Sequence, residues 1–147
     1  MEKNKKLIPG LPTGFEDRWG KKLYLKKELI KLIEENFIKY GFEPLETPSF
    51  EISSNIGSFL ADDDSNPMSD VFTFNDGEKN ITLRYDLSSP LARFVAQNNQ
   101  ELPLPYKRYA IQNVFRNEKA GNARYREFTQ ADCDIAVSYT HLTLPTR

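Results

Sequence analysis

Residues 106–135 read YKRYAIQNVFRNEKAGNARYREFTQADCDI, two alternating runs joined by the polar, glycine-containing loop Lys119-Ala120-Gly121-Asn122-Ala123. Such a pattern specifies two strands linked by a turn, and the rest of the chain is read around that pair. Period-two alternation puts Arg108, Ala110, Gln112, Val114, Arg116 and Glu118 on one face of the first strand. Arg124, Arg126, Phe128, Gln130, Asp132 and Asp134 share a face of the second. The wall so formed carries cations at one end, an aromatic ring in the middle, and an amide and a carboxylate at the other. That order suits a substrate with a polyphosphate, a flat base and a polar organic head. Arginine forks match phosphate oxygens. Phe128 offers a base a stacking contact of ~1–3 kcal/mol, by analogy with base–aromatic stacking. Gln130 and Asp134 stand about 13 Å apart along a strand, enough to grip two ends of a small ligand. Alternation alone, however, favours an ordinary hairpin with a solvated face, its arginines and acids pairing across strands.

The exact string changes that weighting. Phe115-Arg116-Asn117-Glu118, then the loop, then Arg124-Tyr125-Arg126-Glu127-Phe128 resembles motif 2 of the class II aminoacyl-tRNA synthetases. The continuation Thr129-Gln130-Ala131-Asp132-Cys133-Asp134-Ile135-Ala136 resembles the histidyl-tRNA synthetase version. A match this long and ordered is far more specific than a short motif.

Earlier segments add to it. Pro9, Gly10, Pro12 and Gly14 make the lead-in extended, and Leu11-Pro12-Thr13-Gly14-Phe15-Glu16-Asp17 resembles the opening of the same catalytic domain. Residues 18–40 form the best helix, with Leu25, Leu29, Leu32, Ile33, Phe37 and Tyr40 at three- and four-residue steps and Gly41 placed for a left-handed cap. Trp19 is expected to anchor it. The extended piece after Gly41 contains Pro44 and Pro48, which confine it to an edge or an interface. Helix, short strand and Pro48 together (about residues 25–50) resemble motif 1, which in this family builds the dimer interface; periodicity alone equally describes a core helix.

Ile52, Ile56, Phe59 and Leu60 supply further helical turns, and Asp62-Asp63-Asp64 lacks the alternating spacing of a calcium hand. Val71-Phe72-Thr73-Phe74 and Ile81-Thr82-Leu83-Arg84-Tyr85 read as a hairpin turning at Asn75-Asp76-Gly77. In Asp86-Leu87-Ser88-Ser89-Pro90, Ser88 or Ser89 can cap a helix beginning at Pro90, with Leu91, Phe94 and Val95 as its buried stripe. Asp86 falls near that helix's N-terminal amides, where a carboxylate is stabilised, so a local capping role is open to it.

Composition narrows the class. The 147 residues have room for one domain, and 39% hydrophobic with 12% aromatic residues describe an ordered globular chain. A formal net charge of −1 gives no bulk attraction for nucleic acid or an anionic membrane. Cys133 is the only cysteine, which fits a reducing, cytoplasmic setting and is expected to be an inert thiol on the buried face. His141 has no partner for metal binding or acid–base work. No segment approaches the ~20 apolar residues of a membrane span.

The resemblance implies an α/β fold of the α+β type, a class II core whose antiparallel sheet is flanked by helices, here truncated. Residues 1–136 would be the front part of the catalytic domain. The tail 137–147 departs from the family pattern and resembles translated adapter sequence, and residues 138–147 are expected to pack poorly and pair with no strand of the core. Motif 3, the histidine-specific loops and the anticodon-binding domain would lie elsewhere. The activity implied is ligation of histidine to tRNA(His), with ATP and accompanying Mg2+, by a homodimer. Arg116 would hold the α-phosphate and the transferring carboxylate, and Glu118 would help position the adenine or the tRNA end. Arg124 and Arg126 are both candidates for the outer phosphates, and Phe128 would stack on adenine. Asp86, Ser88 and Gln130 would surround the α-ammonium, and Asp134 would accept from an imidazole nitrogen. No protein metal ligand is implied. Two other readings stand beside this one: the synthetase-like regulatory subunit of ATP phosphoribosyltransferase, and an inert fragment.

Overall fold

The computed structural model describes residues 9–57 and 70–137. In chain order its elements are α1 (Gly20–Lys39), β1 (Glu43–Pro44), β2 (Phe50–Ile52), α2 (Ser53–Gly57), β3 (Thr73–Asn75), β4 (Asn80–Leu83), α3 (Ser88–Asn98), β5 (Tyr106–Phe115) and β6 (Glu127–Ala136). The strands make two three-stranded sheets, ordered β1-β5-β6 and β2-β4-β3. The expectations for Phe59, Leu60, the aspartate run, His141 and residues 138–147 lie outside the described residues.

The β5–β6 ladder is antiparallel over ten pairs, from Tyr106 opposite Ala136 to Phe115 opposite Glu127. β1 adds to β5 in parallel on the outer side, so Pro44 takes an edge position where its missing N–H costs least. The extended piece expected after Gly41 therefore serves both sheets, β1 in one and β2 in the other. Arg84 laces the sheets together. Its N–H donates to Ser49 O at 2.9 Å, and its carbonyl accepts from Phe115 N at 3.0 Å. Its buried guanidinium donates to Asn113 O and Thr47 O at 2.6 and 2.8 Å.

The apolar centre is small: Leu87, Ala110 and Val114, with Phe128 packed against them. All lie on the even-numbered face of the hairpin or against it. On the odd-numbered face α1 crosses β5. Phe37 meets Tyr109 at 5.5 Å between ring centroids, and Tyr109 Oη donates to Glu34 at 2.8 Å. Burial and that bond push the Tyr109 hydroxyl up to about 12. A polar chain runs from Lys26 to Thr129 and on to Asn113 and Glu127. α1 ends as expected at Gly41, whose φ of +78° suits the glycine, and Gly41 N donates to Ile38 O at 2.9 Å.

Three expectations need correction. The stripe on α1 divides: Phe37 meets the sheet at Tyr109 and Ile33 is half-buried, while Leu25, Leu29 and Leu32 remain 61, 57 and 57% exposed and Tyr40 is exposed as well. The helix carries two apolar faces, and one sheet can cover one of them. Trp19 anchors nothing among the described residues and is 78% exposed. Cys133 is exposed, as are Ala131 and Ile135 on the same face. α1 reaches Thr129 near the start of β6 but leaves the far half of that strand bare.

β2 is tied to α3 by a bidentate pair, Arg93 Nε and Nη2 on the two oxygens of Glu51 at 2.7 and 2.9 Å. Glu51 is 5% exposed and Arg93 24%. Removing one partner strands the other, and the deeper group loses more because water cannot reach it. Arg93→Ala should therefore destabilise the chain by about 3 kcal/mol, and by more than Glu51→Ala does. Urea unfolding of both variants measures the order.

Candidate active site

The wall expected from alternation forms because the register sets even residues against even. Val114 faces Phe128, Gln112 faces Gln130, Ala110 faces Asp132 and Arg108 faces Asp134. Arg116, Glu118, Arg124 and Arg126 lie beyond the strand ends, in the rim of the hairpin. The segment 85–87 crosses the wall, putting Leu87 in the apolar centre and Tyr85 beside Arg116.

The Arg116 guanidinium is held between two rings, 4.5 Å from the Tyr85 centroid and 5.1 Å from that of Phe128. Its Nε points to Tyr85 O at 3.4 Å. Glu118 accepts from Tyr85 Oη at 3.1 Å and from Arg124 Nε at 2.8 Å, with Arg124 Nη2 also on the same carboxylate. Partial burial works to raise the Glu118 carboxyl, but the bonds from Arg124 and Tyr85 hold it below its ordinary value. Desolvation, together with the bond to Glu118, raises the Tyr85 hydroxyl.

Arg126 is fixed from behind. Its N–H donates to Gly14 O at 2.8 Å, its carbonyl accepts from Arg116 N at 2.9 Å, and its Nε donates to Glu118 O at 2.9 Å. Gly14 sits at φ +87°, and a Cβ there would lie 2.7 Å from the Arg126 side chain. Only glycine allows this approach of the lead-in to the hairpin rim.

At the other end the polar groups keep local company. Asp86 accepts from Ser89 N and Ser89 Oγ at 3.0 and 3.3 Å. Neither Ser88 nor Ser89 is the cap: the N-cap position is Leu87, Asp86 just before it accepts from the Ser89 amide, and α3 begins at Ser88, two residues before Pro90. Ser88 is exposed. Gln130 Nε2 donates to both oxygens of Asp132, while its buried Oε1 has no partner. Asp134 pairs with Arg108, Nη2 to Oδ2 at 2.8 Å. The fold brings Arg116, Glu118, Arg124, Arg126 and Phe128 into one cluster, with Gln130 and Asp134 further along the same face. It does not join Asp86 to Gln130, whose hydrogen bonds go elsewhere. Sequence reasoning passed over Tyr85, although it stands next to Asp86, and gave no task to Arg108; only the tertiary crossing of 85–87 reveals either.

Among the described residues no group of three or more His, Cys, Asp or Glu gathers that could hold a metal ion. No helix there is long and apolar enough to cross a membrane.

Comparison with known proteins follows the hairpin. The family pattern described as "tRNA synthetases class II core domain (F)" matches residues 16–144. The chain belongs to this class II family. It is 82% identical over 135 residues to "Histidine--tRNA ligase" of Pelagibacter ubique, a match covering 92% of this chain and 29% of that protein. Among solved structures, the class II core resembles histidyl-tRNA synthetase from Nostoc sp. PCC 7120, with a TM-score of 0.74 and 27% identity over 91% of this chain and 30% of that one. It also resembles an "ATP phosphoribosyltransferase regulatory subunit/histidyl-tRNA synthetase" from Bacillus halodurans C, with a TM-score of 0.72 and 26% identity over 88% and 32%. The chain is a homologue of the N-terminal portion of histidyl-tRNA synthetase and spans about 29% of the length of the Pelagibacter relative.

The Glu118 clamp has a pH signature. A carboxyl lowered on folding contributes stability that is present above its unfolded value and lost as pH falls through the folded one. The Glu118 carboxyl should therefore titrate below an ordinary glutamate, and Arg124→Ala should move its midpoint upward. Carbon-detected NMR titration of the side-chain carboxyl reads both.

Proposed function

We propose that this wall serves an enzyme that activates histidine with ATP and transfers it to tRNA(His). The observation that carries the reading is one hairpin face bearing Arg116, Phe128, Gln130 and Asp134 in that order, in a chain 82% identical to a histidine–tRNA ligase. A carboxylate oxygen of histidine attacks the α-phosphorus of ATP, the bond to the β-phosphate bridging oxygen breaks, and pyrophosphate leaves. No protein nucleophile is needed. Arg116 stabilises the charge that develops at phosphorus. ATP draws its guanidinium off Phe128, which frees the ring to stack on adenine. Arg124 and Arg126 serve the outer phosphates; Arg126, pinned by Gly14 and Glu118, is the less mobile. Glu118 positions the adenine or the tRNA end. Asp86, Ser88 and Gln130 receive the α-ammonium, and Asp134 accepts from an imidazole nitrogen. Mg2+ arrives with the triphosphate. We place the work in the cytoplasm, with residues 1–136 as the catalytic stretch and 137–147 as a non-native tail.

A second reading is a regulatory subunit that binds histidine without activating it, favoured by the likeness to the Bacillus halodurans protein. Grafting this chain in place of the matching part of the Pelagibacter ubique relative separates the two. Histidine-dependent ATP–pyrophosphate exchange supports the ligase, and histidine binding without exchange supports the regulator. The 147-residue chain alone should run exchange more than about 1,000-fold slower than the graft, because one lost charge-stabilising group alone costs ~100- to 1,000-fold. Exchange within about tenfold would sink this account of the site.

The bare Leu25, Leu29 and Leu32 face supports a two-fold contact between protomers, since a two-fold interface buries one patch twice. The graft should sediment as a dimer, and Leu29→Glu should shift it toward monomer. A wild-type graft that sediments as a monomer at micromolar concentration removes the idea.

A further inference from the structure

Arg108 lies on the wall with no task in the scheme above. Its side chain is wholly buried, yet its hydrogen bonding is sparse. Nη2 donates to Leu87 O at 2.8 Å, while Nε and Nη1 have no partner. Nη2 also lies 2.8 Å from Asp134 Oδ2, an ion pair without an aligned hydrogen bond, since Oδ2 itself lacks a donor. Arg84, equally hidden, shows what a scaffold arginine looks like here: its Nε and Nη1 both end on backbone carbonyls. Burying a guanidinium with two donors idle is costly, and an apolar side chain at this position would avoid that cost.

We infer that Arg108 is a positioning residue for the amino-acid end of the site. It draws Oδ2 of Asp134 inward and leaves the other oxygen, on a side chain 41% exposed, as the acceptor a ligand N–H meets. Through Leu87 O it also ties that carboxylate to the segment carrying Asp86, so the two ends of the ligand are gripped at a set separation. Such a device favours a side chain with a donor at fixed reach and disfavours an apolar one, which leaves the carboxylate unpaired. Naming that ligand as histidine rests on the proposed function.

The test uses the graft described above, with Arg108→Leu, Arg108→Lys, Asp134→Asn and the Arg108→Leu/Asp134→Asn pair, read by ATP–pyrophosphate exchange. Arg108→Leu should raise KM for histidine about tenfold or more, because the half-exposed Asp134 loses the cation that orients it, with KM for ATP within about threefold. Arg108→Lys should recover part of the loss, and the double variant should be no worse than the poorer single one. Equal effects on both KM values, an unchanged KM for histidine, or additive losses in the pair would overturn the inference. If Arg108→Leu does not fold, Arg108→Gln, which keeps a donor for Leu87 O without the charge, carries the same comparison. An unsubstituted graft with no histidine-dependent exchange would instead bring down the functional reading, and this inference with it.

Discussion

The register of β5 on β6 is the constraint on which the rest depends. Because side chains alternate, setting Val114 opposite Phe128 sends every even-numbered residue of the pair to one face. A slip of β6 by one position would turn Gln130 and Asp134 toward α1 and bring Thr129 and Cys133 to the face that Leu87 covers. Burial guards against the slip. Val114 and Arg108 are wholly hidden in the present register, and Leu87 packs on the even face alone.

The two faces then divide the work. The odd face is scaffold, with Tyr109 and Thr129 bonded to α1 and Asn113 joined to it through Thr129. The even face has a thin apolar middle between two polar ends. At the rim, Tyr85, Arg116, Glu118, Arg124 and Arg126 satisfy one another, so the cations are held in place by neighbouring side chains and backbone. At the far end, Gln130 Oε1 and the idle donors of Arg108 remain unsatisfied. A site that leaves buried polar atoms without partners gains more from a polar ligand than one already satisfied.

How much of this could be read from the sequence follows from the range of each interaction. The hairpin, its alternating face and the Asn75-Asp76-Gly77 turn are local, and Asp76 and Asn75 accept from the turn's own amides. The cap of α3 was local as well, but three residues compete for it, and the Asp86 carboxylate reaches the Ser89 amide from outside the helix. The exposure of Cys133 was not legible, because alternation assigns a face and says nothing of how far α1 extends across it. Leu25, Leu29 and Leu32 are apolar in the same way as Ile33 and Phe37, so periodicity could not separate the stripe that meets the sheet from the one left bare. Tyr85 and Arg108 depend on a crossing of the wall by residues some twenty to thirty positions earlier, which no local pattern encodes.

Of the buried apolar side chains, Tyr106, Tyr109, Ala110 and Val114 all belong to β5, whereas α1 contributes none. Val71, Leu87 and Leu91 come earlier in the chain, and Leu87 packs with Ala110 and Val114, so part of this core is synthesised before the strand that completes it. As the chain emerges from the ribosome, α1, the small sheet and α3 have little to condense on until the hairpin appears. A polypeptide interrupted ahead of Tyr106 would carry Leu87 without the Ala110 and Val114 side chains it packs with.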